Sequence, residues 1–459
     1  MKCAWVREPI IPFNPAHGVE NPRMTLAEKP GLAARRAAIG LVLGVTLDQL
    51  PLDQLLETHP DFVVLTGRDR AFAHALAATC LRHAGEIAAI LGKFLSKPLP
   101  KSSGMAVDIL TIGVAQLLFM NTGPHATLDL CVDLAKQDRK AQHFSGLINA
   151  VLRKVSTEGK NVLGHLDGPR LNTPEWLWNQ WISAYGSDLA EAIAVAHTRE
   201  APLDISVKEN PQEWAARLGG ECLPTGTVRL GSHEGPLSEL PGFSTGEWWV
   251  QDAASALPVG LMGNIAGMTV LDLCAAPGGK TAQLASRGAL VTAVDDSVTR
   301  TNRMRENLSR LKLNVDMVLA DVLSLPMTLQ YDHVLLDAPC SATGTIRRHP
   351  DLPFLKTPKQ LASLVELQGK MLDHAAGLVK PVGQLIYCTC SLSPLEGERQ
   401  IFKFLRAHGD FELVPILPAE AGGQNQFITA AGLLRCLPSM MIGNATGLDG
   451  FFAARLRKA

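Results

Sequence analysis

The stretch Val270-Leu271-Asp272-Leu273-Cys274-Ala275-Ala276-Pro277-Gly278-Gly279-Lys280-Thr281 reads as a short apolar strand, a turn of small residues and the start of a helix. In an open α/β sheet, ligands bind beyond the carboxyl ends of the strands, where small residues let a bound group approach the backbone. The amides at the start of a helix favour a negative group such as a carboxylate. A dinucleotide site would show G-x-G-x-x-G here and a phosphate-binding loop would show G-x-x-x-x-G-K-[ST]; neither pattern is present. Some twenty residues further on, the apolar run 290–294 ends in Asp295, whose carboxylate suits the two hydroxyls of a ribose. Asp321 follows a third run, 315–319, in the same way. Carboxylates repeated at strand ends point to a nucleoside-bearing cofactor more than to three unrelated helix caps.

Working outward, runs at 269–273, 290–294, 315–319, 333–337, 385–388 and 451–456 alternate with helical segments, which predicts a Rossmann-like α/β domain over residues 246–459. Upstream the pattern changes. Residues 1–30 carry Pro9, Pro12, Pro15, Pro22 and Pro30 and predict a leader without regular structure. From 31 to 165 the apolar period is helical: Ile39, Val42, Leu43 and Leu47 share one face, as do Leu110, Val114, Leu117 and Leu118. Prolines 51, 60, 98, 100 and 124 divide this all-α domain into short helices. Residues 166–245 are mixed, with a helical stretch at 176–196 and a strand at 203–207, and are expected to form a small connector.

A chain of 459 residues exceeds what one core supports, so a multidomain protein is expected. With 46% hydrophobic and 19% charged residues it is a globular one. The nine cysteines are odd in number and scattered, which favours free thiols and a cytoplasmic location. The sequence shows neither a signal peptide nor about 18 uninterrupted apolar residues of a membrane span. The net charge of −1 conceals an asymmetry: residues 1–160 hold 18 Lys and Arg against 14 Asp and Glu, and the remainder 25 against 30. A polyanionic partner would therefore meet the N-terminal part or local arginine clusters. Paired C-x₂-C units are missing, so no metal site is expected.

The glycine turn DLCAAPGGKT resembles the first motif of the NOL1/NOP2/Sun family of RNA cytosine methyltransferases. VQDAAS from Val250, VLLDAPCSATGTIRRHPD from Val334, YCTCSLSPLEGE from Tyr387 and the terminal GFFAARLRK carry the same resemblance over about 210 residues. The front domain resembles the NusB-type RNA-binding domain, through ARRAA near Ala34, GRDRAFAHAL from Gly67, LRHAGEIAAIL from Leu81 and FSGLINAVLRK at 144–154. Together they resemble the bacterial Sun-type enzymes that act on small-subunit ribosomal RNA. The resemblance implies a class I methyltransferase domain using S-adenosyl-L-methionine. Cys274, Ala275, Ala276, Pro277, Gly278, Gly279 and Lys280 would form the cofactor turn, with Asp295 on the ribose, Asp321 near the adenine, and Arg300 and Asp337 also lining the site. RNA is the implied partner, Arg35, Arg36, Arg347, Arg348 and His349 are the candidate phosphate contacts, and a monomer is expected. Arg68 and Arg70 belong to the same set of candidates.

Carbon 5 of cytosine is too weak a nucleophile to take a methyl group unaided, so a thiolate must first add to carbon 6. Cys340 and Cys390 both follow predicted strands, on the edge that bears the glycine turn. Spacing does not choose between them. The family pattern makes Cys390 the nucleophile and gives Cys340 a part in releasing product, with Asp337 on the cytosine ring and Lys280 beside the base. An antitermination-type binding protein would need only the helical domain, and a nicotinamide-dependent oxidoreductase only the cleft. Neither needs paired thiols.

Overall fold

The computed structural model describes residues 29–231 and 235–459. Apart from Lys29 and Pro30, the expected leader lies outside the described residues. The chain forms two compact units. The first holds the described residues up to Asn179 together with His349–Lys356, and the second holds the rest. Residues 166–245, expected as a connector, thus divide between the two: those up to Asn179 fall in the first unit and those from Gln180 in the second.

The first unit is all helix. Its central element, Ala106–Leu118, is buried all round apart from Val107, and Leu110, Val114, Leu117 and Leu118 lie in its core. A helix apolar on every side belongs inside a bundle. Around it pack Leu32–Thr46, Gly67–Arg82, Ala84–Phe94, Pro124–Gln137 and Ser145–Leu163. Pro60 and Pro124 open helices at their first turn, where the missing N–H costs nothing, so they start elements instead of breaking them. The segment His349–Lys356 belongs to this unit because Phe354 and Leu355 pack on the helical core and Asp351 accepts a hydrogen bond from the Leu52 amide at 3.0 Å.

In the second unit the helix Ser187–His197 precedes a small antiparallel sheet of β1 (Asp204–Val207), β2 (Glu221–Cys222), β3 (Val228–Arg229) and β4 (Trp248–Val250), in the order β2-β3-β1-β4. Arg229 holds Asp204 through two bonds of 2.7 and 2.8 Å inside it. The main sheet contains β5 (Thr269–Leu273), β6 (Leu290–Asp295), β7 (Asp316–Leu319), β8 (Tyr331–Asp337), β9 (Val379–Thr389), β10 (Phe411–Leu413), β11 (Leu434–Cys436) and β14 (Phe451–Lys458). A two-residue pair, β12 (Met441–Ile442) and β13 (Ala445–Thr446), stands apart. The order β10-β14-β9-β8-β5-β6-β7 is parallel from β9 to β7, with β14 antiparallel to β9. Six of the eight strands match the apolar runs of the sequence. The two others, β10 and β11, are three residues long and too short to carry a pattern.

Strand order reverses at β5: the chain moves outward through β6 and β7, then returns to place β8 and β9 on the other side. That reversal opens a crevice at the carboxyl ends of β5, β6 and β8. Gly279–Ser286 and Val298–Arg310 make the crossovers after β5 and β6. Pro358–Gly377, started by a Thr357–Gln360 capping box, leads into β9.

Candidate active site

The cofactor side of the crevice is built from the turn after β5. Cys274 and Gly278 both take positive φ, 59° and 98°. A side chain at Gly278 would bring its Cβ within 2.7 Å of Met304 Cγ, so this turn admits only glycine there. Ala275 and Ala276 turn their amides back to β6: Ala275 N–H donates to Val294 O at 3.0 Å and Ala276 N–H to Asp295 Oδ2 at 3.1 Å. Pro277 and Gly279 complete the turn into the helix.

Asp295 is 1% exposed at the end of β6. Its Oδ1 accepts from Ser297 N at 3.0 Å and from Arg300 at 3.1 Å, while Oδ2 has one protein donor and therefore room for another. Asp321 is exposed after β7 and accepts from Leu323 N at 2.9 Å. Asp272, quoted in the motif but not assigned a role from sequence, is fully buried at β5. Its Oδ2 accepts from Thr281 at 2.6 Å and its Oδ1 has no partner among the described residues. Burial, offset in part by the Thr281 bond and reinforced by Asp337, pushes its pKa up to about 7. A glycine turn at one strand end and, at the next, a carboxylate with an oxygen free to accept a further donor fit S-adenosyl-L-methionine, the carboxylate suiting its ribose.

The base side lies at the ends of β8 and β9, where Asp337 pairs in register with Cys388. Lys280 reaches from the glycine turn to Asp337 Oδ2 at 2.7 Å and sits 5.0 Å from the centroid of the Phe451 ring. Burial disfavours the Lys280 ammonium, but Asp337 and neighbouring thiols outweigh it and hold the pKa above the usual lysine value. Cys388 points its thiol at Asp337 Oδ1, 3.5 Å away. Cys340 and Cys390 bring their Sγ atoms to 3.5 Å. The hydrogen bond to Cys390, then burial, then nearby negative charge push the Cys340 thiol pKa well above its ordinary value. The two thiols, the lysine and Asp337 therefore share one locus.

The arginines expected at phosphates differ in their surroundings. Arg347 is 3% exposed, with Asp449 on its Nε at 2.7 Å and Asp252 on its Nη2 at 2.7 Å. Arg348 pairs with the same two carboxylates at 2.6 and 2.9 Å. Both guanidiniums join the loop after Cys340 to the segments before Ala253 and Gly450, a structural use that the sequence does not announce. Arg35 is likewise turned inward, donating to Gly31 O at 2.9 Å and lying over the Phe72 ring. Arg70 donates to Leu56 O and Phe62 O. Arg36, which donates to Gln137, and the exposed Arg68 remain on the surface of the helical unit. His349, 3.7 Å from Asp53 and 41% exposed, is in the helical unit as well.

Sheet order, glycine turn and strand-end carboxylates define an S-adenosylmethionine-dependent methyltransferase of the Rossmann-like class. Residues 263–457 match the family described as 16S rRNA methyltransferase RsmB/F, and residues 32–157 match the NusB family. The chain belongs to the RsmB/F family of RNA methyltransferases. Ribosomal RNA small subunit methyltransferase B of Cronobacter sakazakii is 35% identical over 412 residues, covering 86% of this chain and 92% of that one. The protein of the same name from Pseudomonas syringae pv. tomato is 33% identical over 450 residues, covering 94% and 97%. The crystal structure of PH0851 superposes with a TM-score of 0.70 at 25% identity, over 95% of this chain and 100% of that one. Among the described residues, no helix is long and apolar enough to cross a membrane.

Proposed function

We propose that this enzyme methylates carbon 5 of a cytosine in small-subunit ribosomal RNA through a covalent cysteine adduct. The observation that carries the reading is the pair of thiols 3.5 Å apart beside the Lys280–Asp337 pair, on the edge that holds the cofactor turn. Cys390 is the nucleophile: its thiolate forms a bond to carbon 6 and pushes the ring electrons to carbon 5. Asp337, oriented by Lys280, bonds to the cytosine ring and favours its protonation, which makes carbon 6 more electrophilic. S-adenosyl-L-methionine, held by residues 274–280, Asp295, Arg300 and Asp321, supplies an electrophilic methyl group. Cys340, once ionised, takes the carbon-5 proton; the electron pair of that bond re-forms the carbon-5–carbon-6 double bond, and the sulfur–carbon-6 bond breaks to return Cys390 as its thiolate. A paired base hides carbon 6, so the target is unpaired or flipped into the pocket.

Residues 31–165 serve RNA affinity and 246–459 carry the chemistry, while the stretch between them is shared by the two units, up to Asn179 in the first and from Gln180 in the second. The eight described cysteines are all free, which supports action in the cytoplasm, and the enzyme works as a monomer. The test is the fate of the adduct in in-vitro transcribed 16S rRNA with cofactor present. Cys390→Ala is expected to lose turnover and adduct together, while Cys340→Ala accumulates a slow-migrating protein–RNA band on a denaturing gel. An adduct in Cys390→Ala and none in Cys340→Ala would reverse the two roles. Transcripts that never acquire 5-methylcytosine from the parent enzyme would refute the substrate.

A further inference from the structure

Glu396 is completely buried in the stretch that follows β9, and no step above uses it. Its carboxylate is the meeting point of the two thiol-bearing loops. From the Cys340 loop, Ser341 donates twice, through its amide to Oε1 at 2.8 Å and through its hydroxyl to Oε2. From the Cys390 loop, the Ser391 hydroxyl donates to the same Oε2. Gln368 closes the remaining side: its amide group donates to Oε1 at 2.9 Å and to Pro339 O at 2.9 Å, just ahead of Cys340. The backbone carbonyl of Glu396 accepts from Tyr387, which is itself buried in β9. Burying a carboxylate costs several kcal/mol unless charge or hydrogen bonds compensate it. Here the compensation consists of neutral donors drawn from both cysteine loops, and the residues donating stand next in sequence to the two thiols.

We propose that Glu396 is a positioning residue that holds the Cys340 and Cys390 thiols in the mutual register needed for one cytosine to be attacked at carbon 6 and deprotonated at carbon 5. The proposal rests on the roles given to the two thiols above. Carbons 5 and 6 are bonded neighbours, so after Cys390 is joined to the ring, Cys340 must stand within proton-transfer reach of the adjacent atom. A drift of about 1 Å in one loop is enough to lose much of the rate of such a step. A carboxylate that accepts from both loops at once couples their positions in a way that two independent hydrogen bonds to solvent would not.

The experiment compares the parent with Glu396→Gln, in the full chain, on in-vitro transcribed 16S rRNA with labelled cofactor. The amide keeps the shape but removes the charge and turns one acceptor into a donor facing hydroxyls. The expected result is a kcat at least tenfold lower, KM for RNA and cofactor affinity within twofold of the parent, and a larger fraction of enzyme trapped as adduct. A kcat within twofold of the parent would overturn the proposal. So would a loss of kcat matched by an equal loss of cofactor affinity and thermal stability, since that marks a merely structural role. If Glu396→Gln does not fold, Ser341→Ala and Ser391→Ala decide, each removing one hydroxyl donor. Trapped adduct in either supports the proposal, and parent-like turnover in both refutes it. Cys340→Ala is run beside them: adduct there without any in the Glu396 and serine variants removes Glu396 from the mechanism and leaves the thiol roles standing, whereas no adduct in Cys340→Ala removes the thiol roles themselves.

Discussion

Asp295 shows how much chemistry one side chain carries in this cleft. Its two oxygens already order the cofactor turn through Ala276 N–H and the start of the next helix through Ser297 N–H. Hydrogen bonds to a charged group contribute roughly 1.5–3 kcal/mol, so exchanging this carboxylate for an amide weakens the turn and, on the proposed role of Asp295, the ribose contact. Asp295→Asn is expected to weaken cofactor binding at least about tenfold, corresponding to ~1.4 kcal/mol. Calorimetry on the purified variant measures this, and a dissociation constant within twofold of the parent would remove Asp295 from the ribose site. Asp272 acts at the same scale in another way. Its unmet oxygen lies where burial favours the neutral acid, so the carboxyl titrates higher than an ordinary aspartate.

Between elements, the close approach of three chain segments brings the cysteine loops together. Gly344 N–H donates to Cys390 O at 2.9 Å, and Gly450 N–H donates to Gly344 O at 2.8 Å, so the Cys340 loop is laid between the ends of β9 and the start of β14. A Cβ at Gly344 would lie 2.0 Å from Gly450 O, a backbone atom with no side-chain freedom to yield. Overpacking of this kind costs typically 1–3 kcal/mol. Gly344→Ala is expected to lower stability by about that amount and to reduce turnover further than stability alone explains, because the loops separate. Urea unfolding together with turnover at a temperature where the variant is fully folded tests it; full activity under those conditions would show that the approach is not needed for catalysis. Arg347 and Arg348 secure the same loop from its other end through Asp252 and Asp449.

Over the whole molecule, charge is distributed by unit: the first 160 residues have a basic excess and the remainder an acidic one. RNA affinity that rests on phosphate contacts falls with salt, by roughly 0.7–0.9 in log–log slope per phosphate neutralised. Arg36→Ala and Arg68→Ala are each expected to weaken RNA binding and to flatten that slope by up to about one contact's worth. Arg35→Ala is expected to lower stability by roughly 1 kcal/mol, through loss of its carbonyl and ring contacts, and to leave the slope unchanged. Binding measured across a salt series distinguishes them, and a flattened slope in Arg35→Ala with parent-like slopes in the other two would invert the assignment.

The sequence alone determined the class of fold, because strand-length apolar runs, a small-residue turn and strand-end aspartates are local patterns that survive without tertiary information. It also determined the two candidate thiols, each inside a motif just after a strand. What it did not determine were the partners of groups far apart in the chain. Arg347 reads as a candidate phosphate contact because it stands directly after the Cys340 loop, and only the fold shows that its carboxylate partners are Asp252 and Asp449, the latter 102 residues away. Glu396 has no local feature that sets it apart within YCTCSLSPLEGE, and only folding brings Ser341, 55 residues distant, to its carboxylate. Local pattern reports which face of an element is apolar. Which buried charge meets which donor depends on how strands are ordered in the sheet, and only the tertiary structure decides that.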